Sequence, residues 1–233
     1  MFRDKLTAIE KSILLLVLLL VAAGFVLFYS NLSAFEWYVK EDSLVEWITV
    51  FGLLLGSFVS LGRFFKLFKF KNWWFLTVTF LLGLLLFFAA GEEISWGQRI
   101  FGIQSSEYFQ KHNAQGETNL HNLVVNGVKI NKLIFSLVLS IALGIYLIVV
   151  PLLHAKNKSM KNFLDRSGVP VARLYQVIAI ILVFGLTALI PHGKNPEILE
   201  GGAALLFFLI VRYPANLYVF NRESSMLNNS RKH

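Results

Sequence analysis

Two carboxylates stand side by side where a long apolar run ends. In FFAAGEEISWGQR (87–99), Glu92 and Glu93 are followed by Ser95, Trp96, Gln98 and Arg99 within two helical turns. A second block, NAQGETNLHNL (113–123), spends seven of its 11 residues on Asn, Gln, Glu, Thr or His. If that block is helical, Glu117 and His121 lie four apart on one face. Such a pair can give two ligands to one ion, or a carboxylate that orients an imidazole. The chemistry these residues could do is metal-assisted hydrolysis or group transfer. Glu92, Glu117 and His121 would hold a divalent ion, with zinc favoured. Glu93 would take a proton from the bound water. Arg99 would hold an anionic headgroup or stabilise developing negative charge.

Each group also has a plainer reading. Glu92 and Glu93 would be a wetted helix end, with Glu93 paired to Arg99, and Trp96 an interfacial aromatic. The polar block would cap a helix, with Asn119 and Asn122 in that cap. A single E-x-x-x-H is not a specific motif, and H-E-x-x-H and the other standard catalytic signatures are absent. Yet a carboxylate at a helix C-terminus sits at the negative end of the dipole, at a cost of ~0.3–1 kcal/mol. That placement calls for a positive partner: Arg99, a metal ion or a proton. If the helix continues past Glu93, then Glu92, Ser95, Trp96 and Arg99 share one face.

The elements that must position these residues are membrane helices. Of 233 residues, 56% are hydrophobic and 15% charged, with 22 Phe and no Cys. Soluble domains carry about a quarter charged residues. Disulfides, thiolate catalysis and cysteine zinc sites are excluded. The net charge of +8 implies no nucleic-acid partner, because the basic residues have a use in setting membrane orientation. The expected fold is all-α, a polytopic transmembrane bundle forming one domain over 1–233. About six spans are expected, near 12–30, 44–62, 73–91, 133–150, 171–190 and 197–220, each long enough for a ~30 Å hydrocarbon core. The basic, apolar N-terminal run reads as an uncleaved first span. Pro151 follows the fourth run, Pro170 precedes the fifth, Pro191 closes it and Pro196 opens the sixth. Ser43–Glu46 reads as a capping box.

Sixteen of the 22 Lys and Arg residues fall on one side of this arrangement. The positive-inside rule then places both termini in the cytoplasm. Ten of the 14 acids lie on the other side or at the outer helix ends. The polar loop 92–132, on that outer side, is too long to be a simple connection and carries the candidate site. It is expected to contain a short helix around Ser106–His112. Glu46, with Glu41 and Asp42, opens the second span, and Glu197 and Glu200 open the sixth. Dipole and capping favour acids at those helix starts, but all four acidic groups converge on one leaflet. His192 is a further candidate on that face. Gln176 reads as an interhelical hydrogen-bond donor, and Arg212 as a residue that snorkels.

The blocks GEEISWGQRIFG and NAQGETNLHNL, with ED-x-x-x-EW and E-x-x-E at two other helix starts, resemble a group of multi-pass bacterial membrane proteins without an assigned activity. The resemblance covers most of the chain. It implies the bacterial inner membrane and transfers no reaction. FEWYVKEDSLVEW (35–47) is similar in texture to the acidic, tryptophan-bearing opening of alkaline ceramidase-type membrane hydrolases. Those have seven spans and a three-histidine zinc site with H-x-x-x-H, which this chain lacks. Three functions follow as expectations. The first is a metal-dependent hydrolase or transferase acting on a lipid-like substrate at the extracytoplasmic face. The second is an ion-coupled transporter or cation-binding membrane protein. The third is a structural or assembly protein whose polar loop holds a partner or folds on itself; in all three the bilayer is a partner.

Overall fold

The computed structural model describes residues 5–120, 122–125, 128–129 and 138–222. Among them the chain is almost wholly helical. Thr7 caps α1 (Ala8–Ser30) with its side chain, and Glu10 completes the capping box. A short α2 (Leu32–Tyr38) follows, then α3 (Leu44–Leu67) and α4 (Trp73–Glu93). The loop after α4 holds α5 (Gln98–Phe101), α6 (Glu107–His112) and a hairpin of two-residue strands, β1 (Val124–Val125) and β2 (Val128–Lys129). The short helix expected around Ser106–His112 is therefore present.

The described residues contain three helices long and apolar enough to cross a membrane: α1, α3 and α4. The count reaches four only if a further run and the helix after it, bent by 119° from each other, make one span. That run is α7 (Leu139–Gly144), a π-helical stretch (Ile145–Val149) and α8 (Val150–Lys156), after which α9 (Lys158–Ser167) turns away. Pro151 was expected to follow this span, but it lies inside the helix. Proline cannot donate to the preceding turn, and the π-helical stretch directly before it is the kind of local rewinding that takes up such a defect. Residues 130–137, the start of the expected fourth span, lie outside the described residues.

α10 (Leu174–Ala188) is apolar but 15 residues long, and α11 (Asn195–Arg212) carries three charges. α11 also stops earlier than its apolar run predicts. Arg63 reaches across and donates to the carbonyls of Val211 and, at 3.0 Å, Arg212, which satisfies the C-terminal carbonyls left over in any helix. The chain then turns at Pro214.

α11 is the central element. It packs against α1, α3 and α10, and its residues from Leu205 to Val211 are buried almost without a break, Phe207 being only partly covered. The approach is closest at Gly52 of α3, where a Cβ would stand 2.8 Å from the carbonyl carbon of Ala204. In lipid, small residues at such crossings let backbones meet and gain dispersion energy. Outward-facing Leu18, Phe51, Phe58, Leu85 and Ile181 are exposed, as a lipid-facing belt requires. Gln176 is fully buried and donates to the carbonyls of Leu209 and Tyr213 at 3.1 and 3.2 Å, the interhelical role expected of it. At the same end of the bundle, Glu10 is fully buried and paired with Arg173 at 2.8 Å and Tyr175 at 2.7 Å.

Gly52→Val should destabilise the bundle by about 1–3 kcal/mol, because the branched side chain forces α3 from α11. Thermal unfolding in detergent checks this. Gly62→Ala, at a position with nothing within 4 Å, should be near neutral.

Candidate functional site

α4 ends at Glu93 and does not continue through Arg99. Ser95, Trp96 and Gly97 have φ of 47°, 56° and 78°, a left-handed turn that reverses the chain. Left-handed backbone costs a non-glycine residue roughly 1–2 kcal/mol, so local bonds must offset it. Trp96 folds back over Gly91, where a Cβ would lie 2.8 Å from its ring. Its indole N–H donates to Glu92 Oε1 at 2.9 Å. Ser95 is buried, donates to the Glu117 carboxylate and accepts from Asn119 Nδ2 at 2.8 Å.

The turn delivers Arg99 into a ring of acids. Nη2 meets Glu46 Oε1 at 2.6 Å, and Nε meets Asp42 Oδ1 at 3.1 Å. Nη1 meets both Glu117 oxygens at 3.1 and 3.2 Å, with Glu41 at 3.7 Å. Burial alone would lower the Arg99 pKa, but Glu46, Glu117 and Asp42 outweigh it and hold the guanidinium above its ordinary value. Arg99 touches Glu93 only at its backbone carbonyl, at 3.5 Å. The expected Glu93–Arg99 ion pair is absent, because the reversed turn aims the guanidinium at α3. The expected capping box at Ser43 is absent too. Glu46 accepts from the N–H of Asp42, itself at φ 58°, while the buried Ser43 hydroxyl has no partner.

The polar block is a hydrogen-bonded knot. Asn113 donates to Asn119 Oδ1 and to its carbonyl, both at 2.9 Å, and accepts from the N–H groups of Gln115 and Glu117. Asn119 Oδ1 also accepts from the N–H of Asn122 at 3.0 Å, and Asn122 Nδ2 donates to Gln115 Oε1 at 2.6 Å. Gln115 reaches Glu41. Gln98 ties α5 to the knot, donating to Ser105 at 2.6 Å and accepting from the N–H of Thr118 at 2.7 Å. Glu92 is buried and accepts from the N–H of Leu120 at 2.6 Å. Its partners at the unfavourable helix end include two neutral N–H donors, where a cation had been expected.

Of the expected metal ligands, Glu92 and Glu117 are joined through the turn at Ser95, and His121 lies outside the described residues. Among the described residues no three His or acidic side chains are grouped to hold a metal ion. His192 is elsewhere, edge-on to Phe35 at 5.0 Å and 3.9 Å from Glu36. Asp42, Glu41, Asn113, Gln115, Ser105 and Thr118 were not singled out as site residues from sequence. The density of amides in 113–123 was the signal for Asn113, Gln115 and Thr118, and the acidic opening of the second span for Glu41 and Asp42; Ser105 had none.

Glu93, Glu197 and Glu200 form a second group. They come from the end of α4 and the start of α11, near enough to repel one another and Glu46. All three are half-buried. Among the described residues their carboxylates have neither a hydrogen bond nor an ion pair.

Comparison with protein-family models, with curated proteins and with solved structures finds no match for this chain.

Removing the guanidinium in Arg99→Gln leaves Glu46 buried without its counter-ion and should destabilise the protein by about 3–5 kcal/mol. Asp42→Asn touches an ion pair whose acid is half exposed and should cost under about 1 kcal/mol. Unfolding in detergent measures both, and the Glu46→Gln/Arg99→Gln pair should recover part of the loss.

Proposed function

We propose that this chain is a bacterial inner-membrane protein with six spans and cytoplasmic termini, and that its extracytoplasmic end binds protons or a hydrated cation. The observation that carries the reading is that Glu93, Glu197 and Glu200 have neither a hydrogen bond nor an ion pair among the described residues, Arg99 and Lys194 acting on Glu93 and Glu197 only from a distance. Burying a charged carboxylate without compensation is costly, so such groups acquire a proton or a counter-ion. Among the described residues no grouping of three suits a directly coordinated metal, which favours protons or an ion held through water. The six-span count takes α10 and α11 as spans. α11 packs against α1, α3 and α10, and a charged residue in a membrane bundle is tolerated where neighbouring helices shelter it. The sidedness rests on the distribution of Lys and Arg.

A second reading is a metal-dependent hydrolase acting on a lipid. It is supported by the adjoining anchors of the two acids, Glu117 on Ser95 and Glu92 on Trp96 and on Leu120, the residue before His121. Against it, their carboxylate oxygens already accept from N–H and O–H donors. Stoichiometric zinc in the purified protein, lost in His121→Ala, would favour it over the first reading.

Purified protein in detergent should be stabilised by a bound monovalent or divalent cation, by ~2.7 kcal/mol at a hundred times Kd. Alternatively, it should show a protonated-carboxyl infrared band. Either signal should disappear in Glu93→Gln/Glu200→Gln. Neither signal in the wild-type protein would remove the proposal.

A further inference from the structure

We infer that the cleft between α4 and α9 binds the phosphate-bearing headgroup of an anionic phospholipid. The observations lie at the opposite end of the bundle from the acids. The cleft encloses about 370 Å³ and is lined by Trp74, Ser159, Asn162, Phe163, Arg166 and Ser167. That volume falls within the roughly 300–1,000 Å³ of small-molecule sites.

α9 has the form of an interfacial helix. Met160, Phe163, Leu164 and Ser167 share one stripe, with Lys158, Lys161, Asn162 and Arg166 off it. Leu164 and Ser167 of that stripe are buried in the bundle, while Phe163 and the basic residues are exposed, so the helix can present charge and one aromatic at a headgroup layer. It turns by 119° from the run before it, as a helix leaving the membrane normal must. Phe163, Trp73 and Trp74 are exposed beside it, residue types that settle at the interface.

The helix is also held rigidly. Trp74 Nε1 donates to Ser167 Oγ at 3.1 Å, and Asn72 Nδ2 donates to the Arg166 carbonyl at 3.3 Å. Gly168, at φ 70°, ends α9 where a Cβ would lie 2.8 Å from the Phe75 ring. Asp165 is the acid nearest in sequence. It is occupied by His154 at 2.9 Å, by Asn216 at 3.1 Å and by Tyr218.

The Arg166 guanidinium, by contrast, has no ion pair or side-chain hydrogen bond among the described residues. A guanidinium pairs with phosphate in a bidentate fork. The Ser159 hydroxyl and the Asn162 amide stand on the same cleft wall. Lys156, Lys158 and Lys161 add positive charge around it, which attracts anionic lipid. An anionic phospholipid satisfies all of these at once: phosphate on Arg166, glycerol hydroxyls on Ser159 and Asn162, and acyl chains along Trp74 and Phe163. The inference rests on the reading of the chain as a membrane protein, and not on the acid cluster.

The test is native mass spectrometry of the full chain from mixed micelles of phosphatidylglycerol and phosphatidylcholine. Wild type should retain phosphatidylglycerol preferentially. Arg166→Ala should lower that retention about fivefold, as expected for one basic contact at a membrane surface, with Arg166→Lys in between. Lys111→Ala, at the other end of the bundle, should match wild type. Unfolding temperature should be unchanged in Arg166→Ala, because no fold contact of the guanidinium is lost. Equal retention of the two lipids by wild type would overturn the inference. So would undiminished preference in Arg166→Ala, or complete displacement of the lipid by inorganic phosphate, which would make free phosphate the occupant.

Discussion

One guanidinium organises the end of the bundle where α3 begins and α4 ends. Arg99 joins the start of α3 through Asp42 and Glu46 to the polar loop through Glu117. No pair among these acids would be stable at such distances without it, since like charges a few ångströms apart at partial burial repel by several kcal/mol. Remove Arg99, and Glu46 becomes an uncompensated charge at a helix start while the loop loses its anchor. A lysine could meet one acid well, but it could not address three from a planar fork.

That demand explains the backbone around it. A helix continuing through Arg99 would send its side chain along the axis of α4. The left-handed turn at Ser95–Gly97 sends it sideways to α3. Strain of this kind persists only when the surroundings over-determine it. Here the indole of Trp96 bonds Glu92, Ser95 bonds Glu117 and Asn119, and Gly91 leaves room for the ring. The turn, the polar knot and the ion cluster are therefore one cooperative object. Strain in one part is offset by bonds in the other two.

Much of this was legible in the sequence, and the parts that were not share a cause. Apolar runs located the helices, because lipid requires every backbone group to be bonded within a helix. The density of amides in 113–123 marked the loop that folds onto Arg99, and the burial of Gln176 followed from its place in an apolar run. Partner choice was not legible. Glu92, Glu93 and Arg99 are neighbours in sequence, so local spacing suggested that they pair, whereas three consecutive positive φ values re-aimed Arg99 across the bundle. Only Gly97 of those three residues is of a type that announces such a turn. Pro151 misled for a similar reason. A proline marks a lost hydrogen bond, but a π-helical stretch can absorb that loss without ending the helix.

The same geometry separates two populations of carboxylate at this end of the bundle. Glu41, Asp42, Glu46 and Glu117 are taken by Arg99, and Glu92 by N–H donors, so these groups are committed to holding the fold. Glu93 is the neighbour that the reversed turn leaves out. Its side chain faces the first turns of α11, where Glu197 and Glu200 are close enough to repel it. α11 is buried along most of its length, but Glu197 and Glu200, in its first turns, are only half-buried. A helix placed centrally for packing could have carried alanine or serine at 197 and 200 with less desolvation. The arrangement thus concentrates negative charge where the fold gains least from it, in contrast to the acids that Arg99 holds.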